Sequence, residues 1–130
     1  MKKEVIVIAL GGNALITKKG DTDIKAQYKT IQYAIRNVSE LFKKYAIVIT
    51  HGNAFQVGEL LLQNEISQGK VPITPLDVLD AETQGEIGYL IEQSILNELQ
   101  RKKLRIPVIA LLTQVLVDKN DPAFKKPTKP

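Results

Sequence analysis

The sequence predicts an α/β fold with a mainly parallel sheet, and three features of the 130-residue chain indicate it. Two continuous apolar runs, Val5 to Leu10 and Ala46 to Thr50, are rich in Val and Ile, as in strands that are covered on both faces. An amphipathic helical segment separates them. Strand, helix and strand within about fifty residues form a βαβ unit, whose two strands are parallel.

The first helix is predicted over residues 24–42, where apolar residues recur at steps of three and four. Asp21, Thr22 or Asp23 can cap its start. A second, shorter helix is predicted from Gln56 to Gln68, and Gly69 suits its C-terminal end. Two prolines in residues 70–81 predict a loop.

A long helix is predicted from Glu82 to Lys103, because apolar residues recur along one side of it. Gly85 and Gly88 lie inside this helix, and each costs about 1 kcal/mol relative to Ala. We therefore expect close packing of another backbone there, including a dimer contact. A third apolar strand is predicted over residues 106–117, followed by a proline-rich loop.

Composition excludes several classes of protein. The chain has no cysteine, which excludes a disulfide scaffold and cysteine catalysis, and its single histidine excludes a multi-histidine metal centre. The longest apolar run is too short to span a bilayer, so we expect a cytoplasmic protein without a membrane partner. Residues 101–130 carry eight Lys or Arg against two Asp, but no aromatic residues lie among the basic ones at 101–105. Nucleic acid is therefore not an expected partner.

The sequence Gly-Asn-Ala follows both predicted strands, at residues 12–14 and 52–54. Ligands of parallel α/β sheets bind beyond the carboxyl ends of the strands. Glycine allows positive φ and close approach, successive N–H groups can bind an anion, and asparagine adds a neutral donor. One interpretation is that both turns bind a single anion. The alternative is that they need Gly and Asn for backbone reasons alone.

Five phrases carry a family resemblance from Val5 to Pro130: ALGGNAL, VITHGNAFQVGELL, PLDVLDAETQGEIGYLIEQSILNEL, LLTQVLVDKNDPAF and KKPTKP. Together, and in this order, they resemble carbamate kinases, which are members of the amino acid kinase family. The resemblance implies a three-layer α/β/α sandwich, usually dimeric. It also implies phosphoryl transfer between ATP and carbamate, giving ADP and carbamoyl phosphate, usually run towards ATP in arginine catabolism.

The resemblance makes residues 1–130 the carbamate or carbamoyl-phosphate side of the domain. ATP or ADP with Mg²⁺ are the implied cofactors, and no protein metal site is expected. It assigns substrate or phosphate binding to the two turns, at Gly11, Gly12, Asn13, Gly52 and Asn53. It assigns the catalytic role, through contact with the phosphate, to Lys129 in PTKP. His51 is interpreted as orienting the second turn, since a carbamate oxygen is already negative and needs no general base. Asp118 and Asp121 are interpreted as solvated or capping residues rather than metal ligands.

Two departures from the family pattern affect these expectations. Ala54 and Phe55 stand where the family usually has Gly-Pro. If that position needs positive φ, Ala54 costs about 1 kcal/mol or shifts the turn, and Phe55 crowds the carbamate pocket or folds outward. The chain also has less than half the usual family length and lacks the ATP-binding C-terminal half. We therefore expect little or no kinase activity from the isolated chain.

Three interpretations remain open at this point. The chain is the N-terminal part of a carbamate kinase, acting as a homodimer or paired with a C-terminal half. Alternatively, it is a non-catalytic module for anion binding and dimerisation. The third possibility is a different amino acid kinase that acts on another carboxylate.

Overall fold

A computed structural model describes residues 3–16 and 23–127, without the side chain of Asn13. Strands β1 (Val5–Leu10) and β2 (Ala46–His51) pair in parallel. Their register runs from Val5 opposite Ala46 to Leu10 opposite His51. The predicted parallel βαβ unit is confirmed, and both strands end level at their carboxyl ends.

Two helices lie between the strands. The short helix α1 (Gly12–Leu15) follows β1 directly, and α2 (Ile24–Val38) continues into a 3₁₀ turn over Ser39–Lys43. Asp23 caps α2, because its carboxylate accepts hydrogen bonds from the backbone N–H groups of residues 25 and 26 at 3.0 and 3.1 Å. One of the three predicted caps is thus the actual cap.

The core lies between one face of the sheet and the helices. Its buried members come from β1, α1, α2 with its 3₁₀ turn, and the long C-terminal helix: Leu10, Leu15, Ile31, Ile35, Phe42, Ile87, Leu90, Ile91 and Leu99. Ile8, Ile47 and Ile49 of the strands pack against this cluster. Alternate strand residues therefore point into the core, as the period of two along a strand requires.

The opposite face of the sheet is exposed in the described structure. Val5 and Val7 of β1 are 59% and 66% exposed, and Val48 of β2 is 46% exposed. The predicted α/β class with a parallel sheet is confirmed. In the described residues the helices cover one face of that sheet, so the second helical layer of the expected sandwich is not among them.

Helix α3 (Ala54–Ser67) follows β2, and α4 (Leu76–Arg101) is the longest element. Gly69 ends α3 with φ +80°, as predicted. Helix α4 begins six residues before its predicted start, so the predicted loop was wrong over residues 76–81. Pro75 is the N-cap residue, where its missing N–H costs little, and the buried Leu79 continues the apolar row of the helix.

Helix α4 ends in a Schellman motif centred on Lys103, whose φ is +55°. The Lys103 N–H donates to the Gln100 carbonyl at 3.0 Å, and the Leu104 N–H donates to the Leu99 carbonyl at 2.9 Å. This backbone shape normally selects glycine, so a lysine there is strained.

The predicted third strand is wrong. Residues 104–117 form neither a helix nor a strand in the described structure. Leu104, Ile106 and Val108 pack against the core, whereas residues 109–117 are exposed. Pro107 cannot donate to a sheet ladder, and the segment lies against α4 rather than along a sheet edge. An apolar run indicates burial on some face, and it does not specify a pairing partner.

Helices α2 and α4 are joined by a buried carboxylate. Glu98 on α4 pairs with Arg36 on α2 at 3.1 Å and with Arg101 one turn later at 2.7 Å. Hydrogen bonding from Arg101 first, and then from Arg36, holds the pKa of Glu98 below its usual value against the opposing effect of burial. In the described part of the chain, no helix combines the length and apolar character needed to cross a membrane.

Candidate anion site at the carboxyl edge of the sheet

The two Gly-Asn turns leave neighbouring strands at the same edge of the sheet. Leu10 and His51 are register partners, so the turn at Gly11 and Gly12 lies beside the turn at Gly52 and Asn53. Parallel strands are spaced about 4.8 Å apart, which is close enough for both turns to contact one small ligand. The backbone geometry thus brings together the segments that the sequence singled out.

The glycines in these turns leave open space. Gly11 has φ −75°, and neither Gly12 nor Gly52 has φ in the left-handed region, so positive φ is not the reason for glycine here. A β-carbon at Gly11 or Gly52 would meet no described atom within 4 Å. The expectation of positive φ was therefore wrong, while close approach of a ligand to the backbone fits the geometry.

The two turns touch through Phe55. A β-carbon at Gly12 would lie 3.7 Å from Cε2 of the Phe55 ring, which is half exposed. The ring therefore lies over the first turn. Ala54 is the first residue of α3 and lacks positive φ, so the strain expected from replacing the family's glycine is absent.

His51 contacts the turn that it precedes. Its Nδ1 lies 3.2 Å from the carbonyl oxygen of Gly52, and the protonated Nδ1 can donate to that oxygen. This contact is of the kind that an orienting role requires. A proton-transfer role has no such geometric support in the described residues.

The side chain of Asn53 is held by α4, a contact that sequence reasoning missed. Its Nδ2 donates to Oδ1 of Asp80 at 2.6 Å and to Oγ1 of Thr83 at 2.8 Å. Gln84 donates from Nε2 to the other Asp80 oxygen at 2.7 Å. Asp80, Thr83 and Gln84 lie three and four residues apart on one helix face, a spacing that could have drawn attention to them.

Asp80 is ionised at neutral pH in this arrangement. The hydrogen bond from Asn53 first, and that from Gln84 second, lowers the pKa of its carboxyl group. Both donors are neutral amides, which favour the charged form of an acceptor. A negative charge therefore lies immediately behind the second turn.

The same network extends to the unpaired segment after α4. Oε1 of Gln84 accepts from the backbone N–H of Thr113 at 2.8 Å and from its hydroxyl at 3.2 Å. Gln84 thereby ties residues 104–117 to α4. The second turn, α4 and residues 104–117 are linked by one set of polar contacts.

The remaining site predictions concern Lys129, Asn13, Asp118 and Asp121. Lys129 lies outside the described residues, as does the side chain of Asn13, so their roles stay predictions. Asp118 and Asp121 accept hydrogen bonds from the backbone N–H groups two residues ahead, each at 2.8 Å. Both therefore act in turns, as predicted. No group of three metal-ligating side chains occurs within residues 3–16 and 23–127.

The glycines of α4 differ from each other. A β-carbon at Gly88 would lie 3.3 Å from Cβ of Ala110, whereas one at Gly85 would have open space. The predicted close packing is therefore correct for Gly88, but its partner is the same chain. Gly88 no longer supports a dimer contact.

A cavity of about 310 Å³ lies between α2, α3 and α4. Its lining includes three carboxylates, those of Asp23, Glu59 and Glu86. Burial first, and the negative charge of Glu59 second, raises the pKa of Glu86. This acidic lining does not suit an anion, so the carboxyl edge of the sheet remains the candidate site.

Comparison with known proteins finds no matching family model. The chain is 42% identical over 129 residues to a carbamate kinase from Thermococcus kodakarensis, and 46% identical over 125 residues to one from Haemophilus influenzae. Each alignment covers 96% of this chain but only 41% and 39% of the relative. The chain thus spans about two fifths of the length of these relatives.

A solved structure shows the same backbone arrangement. Carbamate kinase from Giardia lamblia, bound to AMP-PNP, matches with a TM-score of 0.92 at 39% identity, over 98% of this chain and 45% of the Giardia chain. The chain is a homologue of the N-terminal part of carbamate kinases. The relationship confirms the resemblance read from the five sequence phrases, and it assigns the amino acid kinase fold to the described βαβ unit.

Proposed function

We propose that the chain forms the carbamate- or carbamoyl-phosphate-binding part of a carbamate kinase. The observation that carries this proposal is the level register of β1 and β2, which sets two open glycine turns side by side in a homologue of carbamate kinases. Gly11, Gly12, Asn13, Gly52 and Asn53 form the substrate side. Asn53 contributes through its backbone, because both protons of its side-chain amide are donated to Asp80 and Thr83 and the side-chain donor expected from the sequence is already used. His51 orients the second turn, and Ala54 starts the helix that follows it.

The reaction needs positioning more than acid or base catalysis. In the direction of ATP formation, a terminal phosphate oxygen of ADP attacks the phosphorus of carbamoyl phosphate, and carbamate leaves with its oxygen. Neither partner requires a strong base, since both oxygens are already negative. N–H donors at the two turns would stabilise the charge on the phosphoryl oxygens as they move between partners.

Helix α3 contributes to such a site through its first turn. Its 14 residues begin at Ala54, and the first N–H groups of any helix lack an acceptor inside the helix. Their dipoles favour an anion at this end. Lys129 would add a cation at the phosphate, following the family motif in which it stands.

The proposal also includes a nucleotide, without assigning residues of this chain to its binding. The Giardia relative binds AMP-PNP, an ATP analogue, and ATP or ADP is the partner expected for this chain. Mg²⁺ is the cation expected to accompany the nucleotide. It would neutralise negative charge on the nucleotide.

We propose further that the chain acts with a C-terminal kinase part or as a homodimer, and that alone it has little kinase activity. The exposed Val5, Val7 and Val48 face of the sheet is an apolar surface suited to a packing partner. A cytoplasmic location is part of the same proposal, and the cysteine-free composition is compatible with it.

Two glycine substitutions test the site directly. Gly11→Ala and Gly52→Ala meet open space and no left-handed φ, so the fold should tolerate them. We expect each to weaken binding of carbamoyl phosphate about tenfold, because the methyl group separates the anion from the N–H donors. Calorimetric titration of the folded chain measures this effect. Gly58→Ala, within α3 and away from both turns, is the matched control, since its β-carbon also meets open space.

The titration also discriminates between substrates. Parallel titrations with glutamate and acetylglutamate test for an amino acid kinase that acts on another carboxylate. Preference for either over carbamoyl phosphate would overturn the proposed substrate. Equal affinity of the parent chain and both turn variants for carbamoyl phosphate would overturn the proposed site.

A further inference from the structure

We propose that Asp80, together with Thr83, is a positioning residue that keeps the side chain of Asn53 from capping α3, so that the N–H groups at the start of α3 stay open to the anion. The inference rests on the proposed function, and it concerns how the second turn is prepared for its ligand. It begins from the place of Asn53, which is the N-cap residue of α3.

Asparagine at this position normally caps its own helix. Its side-chain oxygen accepts a hydrogen bond from the second or third N–H of the helix. Here α3 has no side-chain cap hydrogen bond among the described residues, although one of the preferred capping residues stands in place. By contrast, Asp23 caps α2 with two such bonds. The backbone of Asn53, at φ −145° and ψ 14°, also lies outside the extended conformation usual for a capping residue, and its amide is engaged elsewhere.

Asp80 and Thr83 account for the diversion. An amide nitrogen has two protons, and Asn53 donates to one acceptor on each residue, at 2.6 and 2.8 Å. An ionised carboxylate accepts and never donates, so the nitrogen of the amide, rather than its oxygen, must face Asp80. The rotamer of Asn53 is thus fixed by groups 27 and 30 residues away along the chain.

The acceptors are themselves held in place. Thr83 is fully buried, and its hydroxyl lies within hydrogen-bond distance of the Leu79 and Asp80 carbonyls, at 3.1 and 2.9 Å. Gln84 holds the second oxygen of Asp80. Consequently the first turn of α3 keeps its N–H donors, and Asn53 cannot compete with an anion for them.

The proposal predicts opposite effects on binding and stability. Asp80→Ala removes the shorter of the two hydrogen bonds that hold the Asn53 amide and leaves only the one to Thr83. Asn53 should then compete for the start of α3, and affinity for carbamoyl phosphate should fall about tenfold as helix N–H donors are occupied. The melting temperature should stay the same or rise, because a capped helix is more stable than an uncapped one. A residue that only supported the fold would lower both quantities.

Asp80→Asn removes the negative charge behind the anion site but keeps an acceptor for Asn53. Its side-chain oxygen can still accept from Asn53, whereas its amide nitrogen cannot accept from Gln84 as the second carboxylate oxygen does. We expect this variant to bind carbamoyl phosphate at least as tightly as the parent chain. The double variant Asn53→Ala, Asp80→Ala should bind like Asn53→Ala alone, since the effect of Asp80 passes through Asn53.

The outcomes distinguish this inference from the proposed function. Side-chain amide NMR signals of Asn53 should be shifted in Asp80→Ala, and the N–H groups of residues 55 and 56 should become protected from exchange. If the parent binds carbamoyl phosphate but Asp80→Ala binds equally well, the positioning role is overturned and the proposed site stands. If the parent does not bind it, both proposals fall together.

Discussion

The side-chain amide of Asn53 donates to the carboxylate of Asp80 at 2.6 Å, although Asn53 occupies the N-cap of its own helix. This contact joins the turn after β2 to the first part of α4. It places a negative charge behind a turn proposed to bind an anion, and neutral donors lower the pKa of that carboxyl group. The geometry of the second turn therefore depends on a helix that begins more than twenty residues later.

Two glycines of α4 form a matched pair for substitution. Gly85→Ala meets open space, so it should stabilise the chain by about 1 kcal/mol through helix propensity. Gly88→Ala should gain clearly less, because its methyl group would lie 3.3 Å from Cβ of Ala110. Urea unfolding of the three proteins measures the difference. An equal gain at both positions would mean that Ala110 does not pack against α4.

The Schellman end of α4 offers a stabilising substitution. Lys103 adopts φ +55°, a conformation that disfavours any residue with a β-carbon. Lys103→Gly should raise the free energy of unfolding by about 0.5–1 kcal/mol, after allowing for the greater entropy of glycine in the unfolded chain. Lys103→Ala is the control, since it removes the same side chain but keeps the strain. Thermal unfolding that gives equal gains for both variants would contradict this explanation.

The buried carboxylate between α2 and α4 should dominate the stability contributed by ion pairs. Glu98→Gln should destabilise the chain by about 1–3 kcal/mol, because the Arg36 and Arg101 guanidinium groups lose a charged acceptor. Glu40→Gln is the control, an exposed glutamate whose loss should matter less. Chemical denaturation at neutral pH measures both. A larger loss of stability for Glu40→Gln than for Glu98→Gln would contradict this prediction.

The same glutamate predicts acid sensitivity. The pKa of Glu98 is lowered in the folded state, so its stabilising effect is complete above its ordinary value near 4.5 and is lost as pH falls through the folded pKa. Stability should therefore decline below about pH 4.5, and Glu98→Gln should reduce that decline. Unfolding curves between pH 3 and pH 7 measure how steeply the free energy of unfolding falls with pH. If Glu98→Gln loses stability as steeply as the parent chain, Glu98 is not the source of the acid sensitivity.

Glu86 should show the opposite dependence. Burial and the neighbouring Glu59 raise its pKa, so its charged form opposes folding as pH rises through the folded pKa. Glu86→Gln should therefore be more stable than the parent at pH 7, and this advantage should shrink as pH falls through the raised folded pKa and be gone below about pH 4.5. Glu82→Gln, at an exposed position of the same helix, is the matched control. An advantage that persists unchanged at low pH would indicate packing rather than charge.

Sequence patterns predicted most of the helices and strands, but they did not determine several of the helix boundaries or which segments pack together. The start of α2 and the glycine that ends α3 follow from capping chemistry that involves adjacent residues. The start of α4 was missed because Pro75 was interpreted as a loop residue, although proline is tolerated at the beginning of a helix. The third strand was misassigned because an apolar run does not identify what covers it.

By itself, the sequence determined the parallel βαβ unit, the placement of both Gly-Asn turns after strands, and the kinship with carbamate kinases. These follow from periodicity and from short phrases, which depend on residues close together in the chain. Only the tertiary structure decided that Asp80 and Thr83 hold Asn53, that Gly88 packs on Ala110, and that the glycine turns are open rather than left-handed. The physical reason is that periodicity specifies which face of an element is buried, whereas the partner of each polar group is set by the three-dimensional packing of distant segments.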